Sequence, residues 1–162
     1  MDRIVFRPGE AADLPAAGRM YADLQRCYRE FNYAFPEVAE VSQVWLDSFR
    51  RTLGRFSMLH LAELNGEPAG FVLSRLKRLP PYMGGVLVGE ISDVWVEPSA
   101  RRLGAAESMM RLAIEWMQAN GAHSIEAQIQ ESNEPSWKLF ERMGFKPELR
   151  QVRLHLDDPA QE

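Results

Sequence analysis

Cysteine is almost missing from this chain: Cys27 is the only one among 162 residues, so no disulfide can form within it. Apolar residues recur at helical intervals around Cys27, which reads it as a buried thiol rather than a nucleophile. Histidine is scarce too. His60, His123 and His155 are scattered, and without ligand spacing or a Cys/His cluster they argue against a metal site. No segment approaches the run of about 18 apolar residues that a membrane span requires. The first residues, with Asp2 and Arg3 ahead of Ile4-Val5-Phe6, lack the apolar core of a secretory leader, so a cytoplasmic setting with no membrane partner is expected. Positive charge is not in excess: 19 Lys and Arg stand against 23 Asp and Glu, for a net charge of −4. A general nucleic-acid binder needs the opposite footprint, whereas a cationic substrate suits this balance. Two familiar phosphate loops are absent as well, since neither Gly-Lys-Ser/Thr nor Gly-x-Gly-x-x-Gly occurs. There is no repeat, low-complexity tract or linker.

What remains is 46% apolar and 26% charged, enough for one domain with a true core over residues 1–156. An acidic tail, 157–162, follows it. A first strand over Ile4–Arg7 precedes a helix that Asp13 can cap and Pro15 can open, running to about Phe31. A second helix is expected over Val38–Leu53, ended by Gly54. Strands Ser57–Leu64 and Ala69–Lys77 flank Asn65-Gly66, a strong hairpin signal. A long strand, Val86–Val96, leads to a helix with Met109, Met110, Ala113, Ile114 and Met117 on its apolar face, stopping at Asn120-Gly121. Ser124–Gln130 reads as a strand, Glu134–Met143 as a short helix, and Glu148–Leu156 as a last, imperfectly alternating strand. The order β–α–α–β–β–β–α–β–α–β implies an α+β fold: a central mixed, mostly antiparallel sheet flanked by about four helices.

The most informative stretch is Val94-Trp95-Val96-Glu97-Pro98-Ser99-Ala100-Arg101-Arg102-Leu103-Gly104-Ala105-Ala106. A β-branched strand runs into a Pro-marked turn, a basic pair and a glycine that opens a helix, which supplies the free N–H groups and positive dipole end that an anion needs. Arg101-x-x-Gly104-x-Ala106 resembles the pyrophosphate-binding signature of the GNAT N-acetyltransferase superfamily. Downstream, Asn133-Glu134-Pro135-Ser136-Trp137-Lys138-Leu139-Phe140-Glu141-Arg142-Met143-Gly144-Phe145 is similar to a second pattern of that family, with Asn133, Gly144 and Phe145 in register. The resemblance runs along nearly the whole chain. It implies acetyl-CoA as co-substrate and an amine, on a small molecule or a peptide, as acceptor. The pantetheine arm would lie between splayed fourth and fifth strands on the backbone of Val94, Trp95 and Val96. The pyrophosphate would rest on Arg101, Arg102, Leu103, Gly104, Ala105 and Ala106, with Asn133 nearby. Homodimers are common in the family, often through terminal strands.

An amine attacks a thioester only when neutral, so a general base and support for the oxyanion are required. Glu90 stands where several family members keep their base, and Asp93 where others have an acidic residue. Strict alternation would put Glu90, Ser92, Val94 and Val96 on one face and Ile91, Asp93 and Trp95 on the other, unless a bulge intervenes. The tyrosine that often protonates the leaving thiolate is replaced by Phe140, leaving Ser136 or a water for that role. Tyr28, Tyr33 and Tyr82 are candidate acceptor contacts, suited to a cationic amine by cation–π attraction. Because phenylalanine has no proton to give, the alternative is a non-catalytic, regulatory acyl-CoA-binding module.

Overall fold

Asn65 and Gly66 both take positive φ, 54° and 88°, the backbone of the tight turn that matches the twist of a hairpin. The computed structural model describes residues 1–31 and 35–156. Its elements are β1 (Ile4–Pro8), α1 (Leu14–Glu30), α2 (Val41–Phe49), β2 (Ser57–Leu64), β3 (Glu67–Arg78), β4 (Leu87–Val96), α3 (Ala105–Ala119), β5 (Ser124–Glu126) and α4 (Glu134–Arg142). The strands lie in the order β1-β2-β3-β4-β5. The first three neighbour pairs are antiparallel. β4 and β5 are parallel and joined through α3, as a parallel pair requires a crossover. The expected α+β architecture is present.

Both faces of the sheet are covered. Leu14, Ala17, Met20 and Leu24 of α1 and Trp45, Leu46 and Phe49 of α2 close over Leu59, Leu61, Phe71 and Leu73. On the other face Met109, Met110, Ala113 and Met117 of α3 and Phe140 of α4 pack with Ala62, Val72 and Ile91. The helical spacing of these residues puts them on single stripes, and the strand residues alternate between the two layers. Among the described residues, no helix is long and apolar enough to cross a membrane.

Four local expectations change. Asp13 does not cap α1: its carboxylate accepts from Arg7 and from the Glu10 N–H, and the Arg7 guanidinium holds its pKa below the usual value. α2 begins at Val41, not Val38, because Glu40 takes a left-handed conformation, φ 52°, just before it. β5 has 3 residues rather than the expected run to Gln130: pairing with β4 ends at Glu126, although Ala127 and Ile129 pack on the same cluster as Ile125. The last strand, Glu148–Leu156, does not form. Leu149, Val152, Leu154 and Leu156 are 91%, 91%, 70% and 87% exposed; the short β5 offers too little edge to template them. The acidic tail and Tyr33 lie outside the described residues.

One buried group makes stability depend on pH. His60 of β2 is 3% exposed, its Nδ1 has no hydrogen-bond partner among the described residues, and burial pushes its pKa down to about 4. In the unfolded chain an imidazole titrates near 6.5, so between these values the unfolded state binds more protons. Stability is therefore complete above about pH 6.5 and declines as pH falls toward 4, by on the order of 3 kcal/mol from this residue. Urea unfolding at pH 7 and pH 4.5 checks it: His60→Leu should flatten the difference seen in the wild type, and an unchanged difference would exclude His60 as its source.

Candidate active site

The end of β4 is where the sheet stops being continuous. β5 pairs with β4 only at Val88, Gly89 and Glu90, so from Ile91 onward that side of β4 has no neighbouring strand among the described residues. On the other side, the Glu97 N–H donates to the Ala69 carbonyl at 2.8 Å, and Val96 and Val94 stand opposite Gly70 and Val72. In an antiparallel ladder the residues flanking a hydrogen-bonded pair turn their N–H and C=O groups the other way. The backbone groups of Val94 and Val96 therefore face the open gap, while Trp95 bonds inward to β3.

That edge leads into the turn before α3. Pro98–Ala100 forms a short 3-10 turn, then Arg102 (φ 63°) and Gly104 (φ 71°) both take the left-handed region. Gly104 occupies the N-cap and no side chain caps the helix, so the N–H groups of Ala105 and Ala106 point outward beside the positive dipole end. Apart from its chain neighbours, a Cβ on Gly104 would meet no atom of the described residues within 4 Å. Its backbone conformation favours glycine. Leu103, 48% exposed, and the exposed Arg101 and Arg102 flank this cradle.

Glu90 and Asp93 lie on the same side of the sheet, contrary to simple alternation. Leu73 pairs with Asp93 but Ser74 pairs with Ile91, so Ser92 is an extra, bulged residue that resets the parity. Ile91, Val94 and Val96 pack on the α3 side, while Asp93 accepts from Tyr28 Oη of α1 at 3.1 Å and Trp45 Nε1 of α2 at 3.0 Å. Ser92 Oγ donates to Glu90 Oε1 at 3.1 Å and accepts from Arg75 Nε at 3.2 Å. Arg75 reaches on to Ser48 of α2, and Lys77 bridges Glu90 at 3.4 Å and Glu126. Burial raises the Asp93 pKa against the pull of its two donors and of Arg75. Burial and the Asp93 charge push the Tyr28 phenol far above its usual range, so Tyr28 acts only as a neutral donor. Arg75, Lys77, Trp45 and Ser92 were not foreseen from the sequence. The period-2 placing of Arg75 and Lys77 around the buried Leu76 was the available signal.

The other candidates are dispersed. Asn133 caps α4, accepting from the Ser136 N–H at 3.3 Å. Ser136 is half-buried on a helix that packs on the α3 side, so the sheet lies between it and the two carboxylates. Phe140 is 5% exposed and stacks edge-on with Phe145 at 5.0 Å. Tyr82 is 87% exposed on the loop before β4. Cys27 is half-buried rather than buried, and desolvation raises its pKa away from a reactive thiolate. It lines a cleft of about 410 Å³ with Glu30, Trp95, Glu97 and Arg101 between α1 and the end of β4. Among the described residues no group of three or more His, Cys, Asp or Glu could hold a metal ion.

The family model described as "Acetyltransferase (GNAT) family" matches residues 18–145. An uncharacterized N-acetyltransferase, YhfO, of Bacillus subtilis is 29% identical, covering 86% of this chain and 90% of its own. Phosphinothricin N-acetyltransferase of Streptomyces viridochromogenes is 29% identical over 88% of this chain and 74% of its own. The chain spans only 42% of mycothiol acetyltransferase of Thermomonospora curvata and 48% of glucosamine 6-phosphate N-acetyltransferase of Trypanosoma brucei brucei. Among solved structures, a predicted acetyltransferase with acetyl-CoA from Clostridium acetobutylicum superposes with a TM-score of 0.75 at 16% identity, over 95% of this chain and 97% of that one. At so low an identity the likeness speaks for the fold. The family match extends over most of the chain, from α1 to just past α4, and takes in the split strands and the uncapped helix. This chain belongs to the GNAT acetyltransferase family.

Proposed function

We propose that the protein transfers the acetyl group of acetyl-CoA to a primary amine of a small molecule or peptide. The observation that carries this reading is the continuous path from the outward-facing backbone of Val94 and Val96 to the free N–H groups at the start of α3. These residues fit the donor. A β-like arm can add to an open strand edge, and a pyrophosphate suits an uncapped helix N-terminus. Bound there, acetyl-CoA supplies an activated acyl carbon and a thiolate leaving group. The Val94 N–H faces the place where charge develops on the thioester oxygen. Glu90 takes the proton of the attacking amine, directly or through a water, with Ser92 Oγ and Lys77 orienting its carboxylate. Asp93 is read as a positioning group that ties Tyr28 of α1 and Trp45 of α2 to the bulge.

Phe140 leaves no phenol to protonate the departing thiolate, and Ser136 or water takes that place. Thiolate leaves adequately near neutral pH without an acid. The acidic side chains Glu30 and Glu97 along the cleft favour a cationic acceptor, with Tyr28, Tyr33 and Tyr82 offered as its contacts. A cytoplasmic setting, where acetyl-CoA is plentiful, goes with this reading. The exposed, alternating Val152, Leu154 and Leu156 support a homodimer formed through the C-terminal segment. Sedimentation velocity should then show a dimer that Val152→Asp with Leu154→Asp returns to monomer; a monomeric wild type excludes it.

The second reading, a regulatory module that binds acyl-CoA without turnover, is favoured by the burial of Phe140 in the core. Calorimetric titration with acetyl-CoA, then thiol release against an amine panel, separates the two. Binding with turnover supports the transferase. Binding without turnover over a broad panel supports the module, and no binding at millimolar acetyl-CoA removes both.

A further inference from the structure

The Val96 carbonyl, one of the outward-facing groups of the β4 edge, is already taken. Arg101 Nε donates to it at 3.0 Å, and the guanidinium lies 5.1 Å from the centre of the Trp95 ring. Arg101 thus folds back across the mouth of the gap and forms one wall of the cleft beside it. Among the described residues Arg101 makes no ion pair. Beneath it the Trp95 indole N–H is shut from solvent with no hydrogen-bond partner among the described residues. A guanidinium held by one carbonyl and one ring face gives up little on meeting an anion, because charge-assisted hydrogen bonds are about twice as strong as neutral ones. The place for that anion is three residues on, at the uncapped start of α3.

We propose that Arg101 sets donor specificity: it occupies the Val96 carbonyl until a phosphate-bearing thioester draws its guanidinium away. This rests on the acetyl-CoA reading above and deepens it. A thioester with a pyrophosphate compensates the displacement at the cradle and gains the freed edge. A thioester without phosphate must displace Arg101 from Val96 with no phosphate to receive its charge, leaving it only the Glu30 and Glu97 carboxylates along the cleft. The same side chain therefore works for one class of donor and against the other. Removing it should change the two affinities in opposite directions, which a residue with a merely supporting role would not do.

Calorimetric titration of acetyl-CoA and of S-acetylpantetheine, which carries no phosphate, into the wild type and Arg101→Met tests this. Methionine keeps an aliphatic stem on Trp95 while removing the donor, and near-UV circular dichroism checks that the ring environment survives. The variant should bind S-acetylpantetheine about threefold to tenfold more tightly than the wild type, the worth of one displaced hydrogen bond. It should bind acetyl-CoA about tenfold or more weakly. Equal or weaker binding of S-acetylpantetheine by the folded variant, including none detectable for either protein, overturns the assignment. A wild type that binds no acetyl-CoA overturns the donor reading itself. A wild type that binds it, beside a variant that gains nothing, overturns only the role given to Arg101.

Discussion

Glu90→Gln is expected to lower kcat by about 10²-fold or more once an acceptor is in hand, the usual worth of a positioned general base. Glutamine keeps the length of the side chain and can still accept from Ser92 Oγ, so the strand should fold as before. What it loses is the ability to take a proton from an ammonium-derived nucleophile. Asp93→Asn is the necessary companion. Its carboxylate is raised in pKa by burial and has both oxygens engaged by Tyr28 and Trp45, and the amide retains one acceptor for those donors. Because the folded-state pKa lies above the unfolded one, the cost of ionising Asp93 appears as pH rises through that range. The neutral asparagine avoids it, so this variant should lose no stability at pH 7 and keep kcat within about tenfold. Because the amine attacks only when neutral, raising the pH toward the amine's own pKa should partly restore the rate of Glu90→Gln. If Glu90→Gln stays active and Asp93→Asn is dead, the base is Asp93 and the bulge serves to expose it.

The second large effect is on stability. Gly70 of β3 sits opposite Val96, and a Cβ there would lie 2.9 Å from the Trp95 carbonyl oxygen, 3.0 Å from Met109 Cε and 3.4 Å from Val96 Cα. Met109 can shift, but the backbone of β4 cannot without breaking the ladder. Gly70→Val should therefore cost about 1–3 kcal/mol by overpacking, a fall in Tm of roughly 3–10 °C for a chain of this size. A melt within a degree of the wild type would show that β3 and β4 are less firmly paired here than the register implies. Gly89 is also crowded, by Met117 and Ile125, yet there the first neighbour is a flexible thioether that can turn aside.

Much of this molecule could be read before any coordinates because its signals are local. Asn65-Gly66 makes its hairpin whatever surrounds it, and Met109 through Met117 mark their buried face by spacing alone. The turn from Pro98 to Gly104 announces itself by composition. The misreadings came where the outcome depends on distant partners. Glu148–Leu156 has the composition of a strand, but a strand exists only where an edge receives it, and β5 is too short to do so. Asp13 has the identity of a cap, but Arg7, across the β1–α1 turn, competes for it. In the candidate site, the turn and helix start at Arg101–Ala106 are legible as a continuous motif. The surroundings of the two carboxylates were not, since Arg75, Trp45 and Tyr28 come from three other elements, and Ser92 gave no sign that it would be the residue to bulge.

The bulge at Ser92 has a consequence for how this strand can vary. In a regular strand the face a side chain takes and the direction its peptide groups point are locked together. With no extra residue, the parity that turns the Val94 and Val96 carbonyls toward the gap would press the Glu90 carboxylate against the methionines of α3. A single unpaired residue lets the upstream half of β4 follow one parity and the downstream half another. A version of this chain shortened by one residue between Glu90 and Val94 could keep its donor edge only by moving the acid to a neighbouring position, so the length of that short interval constrains the strand as firmly as the identity of any side chain in it.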